Sequence, residues 1–134
     1  MFTGIIEEIG KVVSIKKEQS NIHFTLKASM SNELKIDQSL AHNGCCLTVV
    51  KKDKSCYTVT AIQETLDKTN LEDWMVGSSI NLERCMKADG RFDGHIVQGH
   101  VDCVAKCIDI EDLNGSWKFT FDYNEKTHKT VEKG

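Results

Sequence analysis

The histidines and cysteines of this sequence are the side chains best suited to chemistry near neutral pH. Four of them lie within 13 residues of one another, at His95, His100, Cys103 and Cys107. An unperturbed imidazole has a pKa of about 6.5 and therefore exchanges protons near neutral pH. A thiol acts as a nucleophile at that pH only when its pKa is lowered. The four side chains are also zinc-ligand types, but their spacing, H-x4-H-x2-C-x3-C, matches no standard zinc finger or ribbon. The sequence therefore predicts no metal site.

The six cysteines also raise the question of disulfides, which persist mainly in exported proteins. The segment Met1–Glu8 carries two glutamates where a signal peptide needs a continuous apolar run. We therefore expect a cytosolic protein whose thiols are reduced and behave as small, mostly buried hydrophobic residues.

Composition limits the class of protein. The 134 residues are 40% hydrophobic, enough for a compact domain with a real core. The net charge is −3, and the basic run at 51–54 is short and interrupted by an aspartate, so we expect no nucleic-acid partner. The sequence has no apolar stretch of 18 residues, so no membrane span is predicted.

The elements that position these side chains are mostly strands. Residues 21–26 and 79–84 alternate polar and apolar side chains, and residues 56–61 are rich in β-formers. Residues 4–15 read as one long strand. Asn43-Gly44, between residues 39–42 and 45–50, is a strong signal for a tight hairpin.

Two short helical pieces fit between the strands. One spans Ser31 to Lys35, with Ser29 or Ser31 as N-cap, and the other spans Glu64 to Leu71. The predicted fold is all-β: a closed six-stranded antiparallel barrel of Greek-key type with short helices. The strand pattern alone leaves a sandwich open.

An internal repeat is the most informative feature. An offset of 95 residues aligns five identical pairs within residues 2–26: Gly4/Gly99, Lys11/Lys106, Ile15/Ile110, Phe24/Phe119 and Thr25/Thr120. A repeat of this length indicates two copies of one barrel. With a one-residue gap, Lys133 aligns with Asp37, so the second copy stops after about two strands. We expect a first barrel over 1–93, an incomplete second barrel over 94–134, and a longer natural chain, because a half-barrel exposes strand edges.

Five motifs in register carry a family resemblance: MFTGI, SLAHNGCCLTVV, ETLDKTNL, NLER and GHIVQGHVD. Together they resemble the riboflavin synthase family. The resemblance implies dismutation of two 6,7-dimethyl-8-ribityllumazine molecules, with transfer of a four-carbon unit. The products are riboflavin and 5-amino-6-ribitylamino-pyrimidinedione. It also implies no cofactor, one lumazine for each barrel, and a homotrimer whose sites join barrels of neighbouring subunits.

The resemblance also implies site residues. Catalytic candidates are His100, Cys46, Ser39 and Thr48. The substrate-binding segments of the family correspond to Gly4, Ile5, Ile6, Cys46, Leu47, Thr48, Thr60, Ala61, Ile62, Gln63, Glu64, Thr65, Gly99, His100, Val101 and Lys133.

Each of these residues also has a purely structural interpretation. Gly4 is explained by a strand start as well as by a ligand approaching the main chain. Cys46 is explained as a buried structural thiol, and Glu64 as a favourable charge in the first turn of a helix. His100 replaces an apolar residue at the repeat position of Ile5, which favours a role in proton transfer.

Two rival functions remain. A non-catalytic lumazine- or flavin-binding module, such as the lumazine proteins, shares the fold but lacks a full set of reactive residues. A FAD-binding reductase domain would need an R-x-Y-[ST] motif, which this sequence does not contain.

Overall fold

The structure is a computed structural model and describes residues 1–91 and 93–123. Six strands make up the first part of the chain. They are β1 (Glu8–Glu18), β2 (Asn21–Lys27), β3 (Ser39–His42), β4 (Cys45–Lys52), β5 (Cys56–Ala61) and β6 (Ser79–Arg84). They close into a barrel in the order β1-β2-β5-β4-β3-β6, and every pairing is antiparallel. This confirms the predicted six-stranded barrel.

The barrel core comes from the apolar half of each alternating strand. In β2 the inward side chains are Ile22, Phe24 and Leu26, and all three are buried. Trp74 closes against this row, with its ring 5.0 Å from that of Phe24 in an edge-on arrangement. The same alternation in β4 sends Leu47 inward, and therefore turns its neighbours outward.

The predicted hairpin is confirmed. Asn43 and Gly44 have φ values of 48° and 86°, and they join β3 to β4 in the register His42 to Cys45. Two positive φ values are what a tight two-residue turn requires. The Asn43 side chain also accepts a hydrogen bond of 2.9 Å from the Asn81 amide, which ties the turn to β6.

The first helical piece differs from its prediction. It is a 3-10 turn over Ser29–Asn32, and neither Ser29 nor Ser31 caps it. The Glu8 carboxylate accepts hydrogen bonds from the Ser29 and Met30 amides instead, so a residue distant in sequence satisfies the free N–H groups.

The second helical piece is shorter than predicted. Helix α1 spans Gln63–Lys68, and a separate 3-10 turn follows at Leu71–Asp73. The backbone at Thr69 is extended, and its hydroxyl donates to the Thr65 carbonyl at 2.6 Å, which ends the helix.

The N-terminal strand also begins later than predicted. Strand β1 starts at Glu8, whereas residues 4–7 are irregular. Gly4 has a φ of 81°, and its amide donates to the Glu83 side chain rather than to a neighbouring strand. The Gly4 conformation is therefore incompatible with a regular strand running from that residue.

Contacts divide the chain into two compact units after Val101. The second contains one described hairpin, β7 (Lys106–Asp112) with β8 (Trp117–Asp122). The boundary expected at 93/94 from the sequence remains a prediction.

The backbone of this hairpin reproduces that of β1 and β2. Val12 pairs with Leu26 in the first hairpin, and Cys107 pairs with Phe121 in the second. Each residue of the second pair lies 95 positions after its equivalent in the first. The register irregularity at Val12/Ser14 recurs at Cys107/Asp109. The turns agree as well, since Gln19 and Asn114 have φ values of 54° and 58°. The repeat read from five identities therefore extends to the strand register.

Candidate functional site

The outward face of β4 carries two of the predicted catalytic residues. Cys46 is half-buried and Thr48 is exposed, and both point away from the core. Ser39, a third, is half-buried and lies directly opposite Thr48 in the β3–β4 ladder. A thiol and two hydroxyls thus lie on two paired strands, where they can offer hydrogen bonds to a ligand on the barrel surface.

Cys45, the neighbouring thiol, is a contrast. It points into the barrel and is buried, which raises the pKa of its thiol to about 11, with the adjacent Cys46 adding to the effect. Cys45 stays protonated at neutral pH, in keeping with a structural role.

Gly99 lies directly against Cys46. The Cys46 amide donates to the Gly99 carbonyl at 2.8 Å. A Cβ at Gly99 would fall 2.8 Å from the Cys46 Cβ and 3.0 Å from the Phe2 ring, and its φ is 82°. Only glycine fits this position. The contact brings predicted binding residues from two distant parts of the sequence onto one surface.

The residues that follow Gly99 differ in exposure. His100 is exposed, so its imidazole is accessible to a ligand at the barrel surface. Val101 is half-buried and packs against the core cluster of the barrel. The segment is therefore anchored on both sides of His100.

A short antiparallel bridge holds this segment further upstream. Phe2, which is fully buried, and Val97 exchange backbone hydrogen bonds of 2.7 and 2.9 Å. The two positions are 95 residues apart, so the bridge joins equivalent positions of the repeat. The stretches leading to Gly4 and to Gly99 are thus paired with each other.

Gly4, Ile5 and Ile6 form an irregular segment at the start of the chain. The Glu83 carboxylate accepts hydrogen bonds from the backbone at Thr3 and Gly4. Ile5 and Ile6 are 51% and 45% exposed, although both are large and apolar. The segment therefore presents two aliphatic side chains to solvent.

The stretch from Thr60 to Thr65 joins the end of β5 to α1. The Thr60 hydroxyl lies 2.8 Å from His23 Nδ1, and His23 Nε2 lies 2.9 Å from the Glu18 carboxylate. Of the other members, Ala61 is buried, Thr65 is half-buried, and three are exposed: Ile62, Gln63 and Glu64.

Glu64 has a partner of its own. Its carboxylate accepts a 2.8 Å hydrogen bond from Lys68, one helical turn later, and this bond lowers the pKa of Glu64. Both groups are exposed, so the pair adds little to stability. Glu64 thus has a structural interaction and remains accessible to a ligand.

Leu47 differs from Cys46 and Thr48 because its side chain is buried in the core, so only its backbone is available to a ligand. Lys133 lies outside the described residues. Sequence reasoning also passed over Glu83 and His23. Glu83 lies in the motif NLER, which marks it as a residue of interest, whereas nothing in the sequence singles out His23.

No group of three or more metal-ligand side chains is assembled within residues 1–91 and 93–123. The same ranges contain no helix that is both long and apolar enough to span a membrane.

Comparison with known proteins finds similar sequences and a matching family. The sequence matches the lumazine binding domain family over residues 3–85. It is 41% identical to the riboflavin synthase of Bacillus subtilis (strain 168) over 98% of this chain and 61% of that protein. It is 37% identical to the riboflavin synthase of Actinobacillus pleuropneumoniae over 100% of this chain and 63% of that protein. The chain thus spans less than two thirds of the length of these relatives.

A solved structure shares the fold. The crystal structure of LumP complexed with 6,7-dimethyl-8-(1'-D-ribityl) lumazine matches 93% of this chain and 70% of that one. The TM-score is 0.83 at 20% sequence identity. Because the family match covers more than half of the sequence, this chain belongs to the lumazine-binding domain family, with riboflavin synthases among its relatives.

Proposed function

We propose that this chain binds 6,7-dimethyl-8-ribityllumazine and riboflavin on the outward face of β4 and the end of β5. The main support is the Gly99 contact on Cys46, which joins the predicted binding segments 46–48 and 99–101. The segment 60–65 begins in the last two residues of β5, the ladder partner of β4, and supplies further polar groups. The exposed isoleucines at positions 5 and 6 add an apolar contact for a flat heterocycle.

We further propose that the chain acts as the N-terminal part of a riboflavin synthase. The reaction transfers a four-carbon unit from one lumazine to a second, giving riboflavin and the pyrimidinedione. It begins with loss of a proton from the acidic 7-methyl group of one lumazine. His100 is the proposed base, because its imidazole is exposed beside the Gly99 contact. No cofactor is needed, since the heterocycle itself delocalises the resulting negative charge.

In this proposal the remaining catalytic candidates contact the second lumazine, the one that is not deprotonated by His100. Thr48 and Ser39 supply hydroxyls on adjacent strands, and Cys46 supplies a thiol or a pocket wall. The enzyme gains mainly from holding two large substrates in one orientation, which contributes about 7–11 kcal/mol in favourable cases. Lys133 would contact the ligand of the second repeat, and the complete sites would form in a homotrimer. A cytosolic location remains a prediction.

A binding module without turnover is the second candidate function. It is supported by the fold match to LumP, whose crystal structures are complexes with the lumazine and with riboflavin. Such a protein would bind these ligands on the first barrel without converting them.

Two measurements on the purified chain separate these functions. Quenching of riboflavin fluorescence measures binding, and absorbance of newly formed riboflavin measures turnover of the lumazine. Binding with turnover supports the synthase, and binding alone supports the module. If neither ligand binds, the proposed site is wrong.

His100→Ala tests the proposed base. We expect turnover to fall by about 100-fold or more, as for loss of a general base, while riboflavin affinity is largely retained. His95→Ala is the matched control, because His95 is also exposed and has no proposed role. Equal turnover in the wild type and His100→Ala would remove His100 from the mechanism.

A further inference from the structure

Two consecutive residues of β6, Glu83 and Arg84, form hydrogen bonds at the two ends of the segment Gly4–Ile6. Before the segment, the Glu83 carboxylate accepts bonds of 2.5 Å from the Thr3 amide and 2.8 Å from the Thr3 hydroxyl. The Gly4 amide lies 3.2 and 3.1 Å from its two oxygens. Glu83 is only 5% exposed, so its carboxylate has little contact with water. The Thr3 and Gly4 donors supply the hydrogen bonds that a buried charge needs.

Arg84 holds the other end. Its Nε and a terminal nitrogen each donate to a different oxygen of the Glu7 carboxylate at 3.0 Å. The Arg84 amide donates to the same carboxylate at 2.9 Å, and the Glu7 amide donates to the Leu82 carbonyl at 2.9 Å. The Arg84 hydrogen bond lowers the pKa of Glu7, so the carboxylate stays charged at neutral pH.

Between these two grips the backbone is irregular and the side chains are unusually exposed. Gly4 adopts a φ of 81°, which only glycine adopts readily. Ile5 and Ile6 remain about half exposed even though the backbone on both sides is fixed. Fixing the backbone while leaving aliphatic side chains open gives a surface prepared for contact, since less entropy is lost when a ligand binds.

We propose that Glu83 and Arg84 are positioning residues that hold Gly4–Ile6 in the conformation that contacts the heterocyclic ligand. We call the pair the β6 clamp. The inference rests on the proposed function, in which Ile5 and Ile6 touch lumazine or riboflavin. Each acts through the segment that it holds.

Glu83→Gln is the main test, with riboflavin as the probe. The amide keeps the shape of the side chain but loses the charge and one acceptor, so the Gly4 amide loses a partner. We expect the riboflavin Kd to rise about tenfold, as for loss of a charge-assisted hydrogen bond. Hydrogen exchange at the Thr3 and Gly4 amides should accelerate in the free protein. Glu83→Asp should not rescue binding, because its carboxylate is one methylene too short.

Two further variants keep the test informative if Glu83→Gln folds poorly. Glu7→Gln loosens only the other end and should raise the Kd by about threefold. Val12→Ala is the matched control, because Val12 is buried in β1 and makes no clamp contact. It should lower the melting temperature but leave the Kd unchanged, which separates positioning from general destabilisation.

The methyl signals of Ile5 and Ile6 distinguish failure of the clamp from failure of the proposed function. In the wild type, we expect both signals to shift when riboflavin is added. A wild-type chain that does not bind would overturn the proposed function and the clamp together. Binding without a shift at either isoleucine would overturn the clamp alone. So would faster exchange at Gly4 in Glu83→Gln with an unchanged Kd.

Discussion

Thr48 is expected to contribute a single hydrogen bond to ligand binding at the proposed site. Its hydroxyl is exposed on the outward face of β4, opposite Ser39. Thr48→Ala should weaken riboflavin binding by about 0.5–1.5 kcal/mol, as for one neutral hydrogen bond. Titration by fluorescence quenching measures this change. Thr25→Val is the control, since its hydroxyl bonds with Thr58 on the neighbouring strand. Unchanged affinity in Thr48→Ala would place the ligand elsewhere.

His42 predicts how stability depends on pH. Its ring is fully buried, Nδ1 donates to the Leu40 carbonyl at 3.0 Å, and Tyr57 donates to Nε2 at 2.9 Å. Burial lowers the pKa of His42 to about 4. The unfolded chain, with a pKa near 6.5, therefore binds a proton first as the pH falls, so stability is present above about pH 6.5 and declines toward pH 4.

Between pH 7 and pH 5 the free energy of unfolding should fall by about 2 kcal/mol from this residue alone. Urea unfolding at both pH values measures the loss. His42→Gln should be less stable at pH 7 but nearly independent of pH over the same range. A wild type equally stable at both pH values would mean that His42 accepts a proton in the folded state.

At the scale of elements, the sequence predicted what depends on local pattern. The hairpin at Asn43-Gly44 was predictable because few residue pairs tolerate two positive φ values. The start of β1 was not predictable, because the Gly4 amide donates to the side chain of Glu83, 79 residues away, instead of to a neighbouring strand. The site shows the same division. Its segments follow from motifs, but the contact of Gly99 with Cys46 depends on tertiary packing.

That contact gives a prediction at the same scale. Gly99→Ala places a methyl group 2.8 Å from the Cys46 Cβ and forces a non-glycine residue to a φ of 82°. We expect a loss of about 1–3 kcal/mol in stability and weaker riboflavin binding, because residues 99–101 must move off β4. Gly77→Ala is the control, since its φ is 96° but open space surrounds it. Thermal unfolding and titration of both variants separate the clash from the backbone cost. Equal effects in the two would show that the Cys46 contact is dispensable.

At the scale of the molecule, the two copies of the repeat differ in what covers them. Ile22, Phe24 and Leu26 are buried in the first barrel. Their equivalents in β8, Trp117, Phe119 and Phe121, are 61%, 53% and 56% exposed. An apolar row of this kind favours association.

We therefore expect the chain to associate as its concentration rises. Phe119→Lys should shift it toward the monomer, as measured by light scattering after size-exclusion chromatography. Lys118→Glu is the control, because it changes charge on the same strand without altering the apolar row. A wild-type chain that stays monomeric at high concentration would contradict this expectation.

The bridge between Phe2 and Val97 has a consequence for the ancestry of the protein. A residue paired with its own repeat equivalent is the contact found on the two-fold axis of a homodimer, where each copy meets the same residue of the other. A tandem duplication that fused two such copies would keep the contact inside one chain. The Phe2–Val97 bridge is therefore the contact expected if one barrel, paired with its copy through the N-terminus, was duplicated within a single chain.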